Sequence, residues 1–255
     1  MKISTILRSL LIIIVGLPAM ASAQTKWMNP TDANEPYICG RAWNKEMGKS
    51  YNRLPQRFKA TVPGRVWGNS TMTAGLTVRF ATTSPNIAVK YVCTSQSYGT
   101  FNLSGMVHSG VDLYGKAADG KMHWIGNHMR WSMKGDTITI SFPKLSVPAN
   151  RRTEYTLYLP NYNGVKWLAV GVDGKSDFQF MRQSKERPVV IYGSSIIHGA
   201  SPSRPGMSIP NIVGREMGFP LINLGFSGSA YMEPAVFDML GEIDARLFVL
   251  DPIPN

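Results

Sequence analysis

The run Val189–Gly199, VVIYGSSIIHG, constrains the fold of this chain more than any other segment. Val189 to Tyr192 form a short buried-strand run that stops at Gly193. Two serines follow, and then apolar residues lead toward Gly199. A strand ending on Gly-Ser-Ser can lift a hydroxyl to the carboxyl edge of a parallel sheet, where α/β enzymes place their chemistry. The plainer reading is a βα turn with a serine helix cap. The rest of the chain decides between them.

Two further signals come at βα spacing. Pro220–Gly228, PLINLGFSG, is an apolar strand opening onto a Gly-rich turn, and Ala245–Asn255, ARLFVLDPIPN, is an apolar run ending in Asp-Pro-Ile-Pro-Asn. Crossover helices are expected at Pro210–Met217 and Glu233–Ile243. In the second, Val236, Met239, Leu240 and Ile243 recur at helical spacing. This order predicts a right-handed parallel sheet with its turns on one edge. Those turns offer a serine hydroxyl, a glycine N–H and an asparagine amide. Acyl transfer needs such a set, a nucleophile with preorganised donors for the tetrahedral oxyanion.

Upstream, from about Trp27 to Phe180, the pattern changes to short runs such as LTVRFAT, IAVKYVC, VDLYG, DTITISF, TEYTLYLP and KWLAVGV. They are rich in Val, Thr, Tyr and Trp and are broken by turn signals, among them Asn161-Tyr162-Asn163-Gly164. That spacing predicts an all-β sandwich or jelly roll. A charged, Pro-ended linker, Ser184–Pro188, separates a segment 24–183 from a segment 186–255. The first holds enough alternating strands to close a core alone. The second, with an apolar edge such as LFVL left open, does not.

With these blocks in place, residues 186–255 resemble the first half of an SGNH (GDSL-like) hydrolase domain. Gly193-Ser194-Ser195-Ile196 overlays that family's Gly-Asp-Ser-Leu, with Ser194 in place of the Asp, and Gly228 lies five residues after Asn223, as in its second block. Gly110-Val111-Asp112-Leu113-Tyr114 matches the Gly-x-Asp-Leu-Tyr motif of a β-sandwich module found upstream of such domains. The resemblance implies an α/β plus all-β chain: a jelly-roll-like sandwich followed by the first half of a flavodoxin-like three-layer α/β/α domain. It also implies Ser195 as nucleophile, with the Gly228 N–H and the Asn255 side-chain amide as oxyanion donors. No cofactor or metal is expected. The family's Asp-x-x-His does not occur after Ser195, so the expectation is a truncated esterase that is inactive as it stands. Within Asp112-Leu113-Tyr114, Asp112 is expected to cap a turn while the other two pack inward.

The remaining signals set compartment and partners. Lys2 and Arg8, the apolar core Leu10–Leu17 and Ala21-Ser22-Ala23 read as a secretory signal over residues 1–23, too short to span a membrane. The mature chain is therefore expected outside the cytoplasm, periplasmic or extracellular. Losing the two basic residues lowers the formal charge from +11 to +9. The positive residues are spread out, and no nucleic-acid signature accompanies them. Cys39 and Cys93 suit a disulfide or two buried thiols equally. His198 is expected to face solvent, and His108, His123 and His128 have no metal-ligand or triad spacing. Trp124 and Trp131, bracketing WIGNHMRW, are the preferred pair for a sugar platform. The expected substrate is an acylated carbohydrate or other small ester. The alternative is a non-catalytic, carbohydrate-binding or structural sandwich with a vestigial hydrolase remnant.

Overall fold

Along Ile87–Cys93 buried and half-exposed side chains alternate strictly, the period of a strand with one face on a core. Thr137–Phe142 repeats the pattern. The computed structural model describes residues 25–127, 130–148 and 151–253. The expected leader and Asn255 lie outside the described residues.

Ten strands among the described residues build the N-terminal part. They are β1 (Thr25–Met28), β2 (Thr77–Thr82), β3 (Ile87–Cys93), β4 (Asp112–Lys116), β5 (Met122–Gly126), β6 (Arg130–Lys134), β7 (Thr137–Phe142), β8 (Thr153–Tyr158), β9 (Val165–Asp173) and β10 (Phe178–Met181). They form two antiparallel sheets, of order β1-β9-β3-β7-β6 and β10-β2-β8-β4-β5. The facing sides enclose one apolar core that includes Phe80, Val89, Leu113, Phe142, Leu157 and Val170. This is a β-sandwich. Cys39 and Cys93 are buried free thiols.

The C-terminal part is a parallel sheet of order β12-β11-β13, from β11 (Val189–Gly193), β12 (Leu221–Gly225) and β13 (Leu247–Asp251). Side chains of β11 alternate between two layers. Val190 and Tyr192 enter one core, while Val189 and Ile191 pack with Ile197 on the other face. Crossover helices lie close to their expected positions, at Ile209–Met217 and Pro234–Gly241. Four consecutive residues of β13, Leu247 to Leu250, are exposed.

One difference from the sequence reading concerns the two segments. Between β1 and β2 the chain forms helix α1 (Asn44–Met47), a 3-10 turn (Gln56–Ala60) and helix α2 (Gly64–Ser70). Trp43, Leu54, Phe58 and Val66 from this stretch are buried against Tyr192, Leu224 and Phe226 of the C-terminal part. Trp43 also donates its indole N–H to Glu242, just past the helix Pro234–Gly241. The first segment therefore supplies one covering layer of the parallel sheet, and its apolar residues do not all close on the sandwich core. Trp43 and Trp67 belong to this second core.

Candidate active site

The parallel register aligns Gly193 with both Gly225 and Asp251, so the turns after β11, β12 and β13 leave from one edge. Helix α3 is Gly105–His108; helix α4, Ser195–His198, starts directly after β11, and Ser195 is its first residue. Ser194 is wholly buried at the cap position, where its hydroxyl has no hydrogen-bond partner among the described residues. Helix α4 rests on β12 because position 225 is glycine. A Cβ there would stand 2.1 Å from the His198 backbone nitrogen. Gly228 adopts φ +62, a left-handed conformation that glycine enters without strain. Ser195, Ser227 and Gly228 line one open pocket of about 570 Å3, together with Tyr162 and the sandwich loop Thr100–Leu103. Ser195 and Gly228 thus line the same pocket, whereas Asn255 is outside the described residues.

His198 departs from expectation: it is wholly buried, not solvent-facing. Its Nε2 lies 2.8 Å from the Asn161 carbonyl oxygen, and its Nδ1 accepts the Ser227 N–H at 3.2 Å. Tyr162 stacks on the ring at 4.3 Å between centroids and an interplanar angle of 14°. Burial, reinforced by nearby Arg53, holds the imidazole well below the usual histidine range, so it stays neutral. With both nitrogens engaged by backbone, His198 has no lone pair to offer the Ser195 hydroxyl.

Arg53 is fully buried beneath the same turn. Its guanidinium donates to the carbonyls of Asn69, Met72, Asn223 and Gly225 at 2.8–3.2 Å. Burial lowers its pKa to about 9, which leaves it charged at neutral pH. Asn69 in turn donates to the Ser227 carbonyl at 2.9 Å. Asn161, Tyr162, Arg53 and Asn69 were missed by sequence reasoning. The turn Asn161-Tyr162-Asn163-Gly164 was the one visible signal, and it read only as a break between strands.

The other described histidines are committed elsewhere. His108 is buried with Nδ1 2.7 Å from the Ser109 hydroxyl, and His123 pairs with Asp119 at 2.8 Å. His128 is outside the described residues. Among the described residues, then, the Ser195 hydroxyl has no histidine partner. A second cleft, of about 240 Å3, lies between the sandwich and the helix Ile209–Met217. Its one thiol, Cys39, is pushed up to about 11 by burial and is therefore not a thiolate.

Asp112 caps a turn far along the chain, accepting the Gly206 N–H in the first turn of the 3-10 segment Pro205–Met207. It sits in β4 with no exposure, while Leu113 and Tyr114 pack inward as expected. Its carboxylate accepts from the Trp124 indole at 2.7 Å and from the Gly206 N–H at 3.0 Å, and pairs with Arg204 at 3.4 Å. Arg204 covers the Trp124 ring at 4.2 Å. Trp124 is thereby engaged in a clamp between the sandwich and the segment after α4, and it does not line the Ser195 pocket. The side chain of Trp131 is outside the described residues.

Comparisons with known proteins bear on the family and the fold. The model of the GxDLY family, the N-terminus of SGNH-hydrolase-type esterases, matches residues 25–178. That of the GDSL-like lipase/acylhydrolase family matches residues 186–255. A solved structure designated a GDSL-like lipase, from Bacteroides ovatus, is 33% identical with a TM-score of 0.81. That match covers 91% of this chain and 65% of the other, so the chain spans less than two thirds of its length. The salicylyl-acyltransferase SsfX3 from a tetracycline biosynthetic pathway shares the fold at TM-score 0.64 and 18% identity, over 89% of this chain and 61% of that one. No curated protein matches the chain.

Proposed function

Because the chain belongs to the SGNH-hydrolase-type esterases that carry a GxDLY N-terminus, we propose that it is a serine esterase with Ser195 as its nucleophile. The supporting observation is the placement of Ser195 and Gly228 in one pocket, at the carboxyl edge of the parallel sheet. Ser195 Oγ attacks the acyl carbonyl carbon, and the alcohol leaves as the tetrahedral intermediate collapses to an acyl-enzyme. Water then releases the acid. The Ser195 and Gly228 N–H groups, with the Asn255 side-chain amide, hold the oxyanion. None of the histidines placed above serves as base, so the base comes from outside the described residues. We assign an acylated carbohydrate as the substrate class. The polar rim of Thr100, Asn102, Tyr162 and Ser227 suits a hydroxyl-rich alcohol portion. The N-terminal leader pattern supports export.

A serine hydroxyl without its base is a poor nucleophile, and the residual catalysis of an oxyanion hole is modest beside a complete triad. Residues 24–255 are therefore expected to hydrolyse p-nitrophenyl acetate weakly, and added imidazole is expected to raise turnover above its own background. Ser195→Ala should remove that gain. Turnover that Ser195→Ala leaves unchanged would sink the assignment. Turnover of ordinary enzyme size without imidazole, lost in Ser195→Ala, would place the base within this sequence.

A further inference from the structure

We infer that His198 is a positioning residue: a neutral imidazole carrying its proton on Nε2 alone, which latches the Ser227–Gly228 turn to the sandwich loop Asn161–Gly164. The two backbone partners dictate the tautomer. A carbonyl can only accept, so Nε2, 2.8 Å from the Asn161 oxygen, carries hydrogen. An amide N–H can only donate, so Nδ1, 3.2 Å from the Ser227 nitrogen, presents its lone pair.

The latch grips a turn that is held from its other side too. The Ser227 carbonyl accepts from Asn69, whose own carbonyl accepts from the buried Arg53. Both peptide groups of Ser227 are thus fixed, one through α4 and one through α2, and the adjoining Gly228 N–H is aimed accordingly. The titratable groups facing the ring are the Arg53 guanidinium, which opposes a second positive charge, and the Tyr162 phenol stacked on it. A second proton would also set an Nδ1–H against the Ser227 N–H and push the turn away. The catalytic meaning of the latch rests on the reading of Gly228 as an oxyanion donor. Its geometry does not.

Nitrogen-15 spectroscopy of residues 24–255 labelled at histidine tests the tautomer directly, without turnover. From about pH 8 to about pH 5, the window in which an ordinary imidazole titrates, His198 should keep one protonated and one bare ring nitrogen. Titration within that window, or a proton on Nδ1, would overturn the inference. Hydrogen exchange of the Ser227 amide then separates the two ring nitrogens. His198→Asn places an acceptor near the Nδ1 position and should keep Ser227 protection within about threefold of wild type. His198→Gln offers a donor near Nε2 and no acceptor for Ser227, so protection should fall roughly tenfold, the worth of one net hydrogen bond. Equal protection in the two variants would also overturn it. Where neither variant folds, the wild-type tautomer decides. Should Ser195→Ala leave hydrolysis untouched while these readouts hold, the esterase reading fails and the latch stands.

Discussion

Asp112 shows how one buried carboxylate can join two halves of a chain. It accepts two hydrogen bonds and faces Arg204, yet burial outweighs these and lifts its pKa to about 6. An unfolded aspartate gives up its proton near ~3.9. Between those values the folded state binds more protons, so stability falls as pH rises from about 4 to about 6 and is flat above. Chemical denaturation across that range should show the decline, and Asp112→Asn should abolish it; a variant with the same decline would assign the titration elsewhere. Gly225 makes a second residue-scale case. A Cβ would meet the His198 nitrogen at 2.1 Å and the Ile197 carbonyl carbon at 2.5 Å, backbone atoms that cannot swing aside. Gly225→Ala should cost roughly 1–3 kcal/mol by overpacking, read as a lowered Tm. The Gly-Ser-Ser strand end and the glycine turn were legible because each is a local pattern. The partners of Asp112 were not, since Gly206 lies 94 positions along the chain.

At the scale of elements, β3 and β7 declared themselves by strict alternation, and β2, β8 and β9 also lie where their runs predicted. The parallel strands were legible for a different reason: each is a continuous apolar run closed by a polar or glycine turn. The layer formed by residues 43–66 was not. Its helix α1 has four residues, too few to show a period, and between α1 and α2 lies a 3-10 turn of only five residues. Its partners, Tyr192 and Leu224, lie far along the sequence. The consequence is energetic coupling. Leu54 is fully buried on the parallel-sheet side, so Leu54→Ala should cost about 2–5 kcal/mol. Sandwich and parallel sheet should unfold in one transition, followed by tryptophan fluorescence and circular dichroism together. Separate transitions, with Leu54→Ala affecting one alone, would show that the layer does not couple them. For the same reason residues 24–185 alone should expose Trp43, Phe58 and Val66 and bind an apolar dye, contrary to the expectation of an independently closed core.

At the scale of the molecule, a strongly basic balance, +11 over the full sequence, meets an apolar edge that is open among the described residues. Strand β13 pairs with β11 on one side and has no strand partner on the other among the described residues. Leu247, Phe248, Val249 and Leu250 are each between 38% and 50% exposed, so both the ladder groups and the side chains of this edge are open to a second chain. Positive charge opposes that approach, and salt removes the opposition. As ionic strength rises from about 0.01 M to about 0.15 M the screening length shortens from about 30 Å to about 8 Å. Purified residues 24–255 should therefore self-associate in a concentration-dependent way, more strongly at the higher salt. Sedimentation velocity measures it. Phe248→Lys puts a charge on the edge and should shift the distribution toward monomer without changing the far-ultraviolet spectrum. Association that weakens with salt, or that Phe248→Lys leaves unaltered, would locate the contact on a charged surface elsewhere in the molecule.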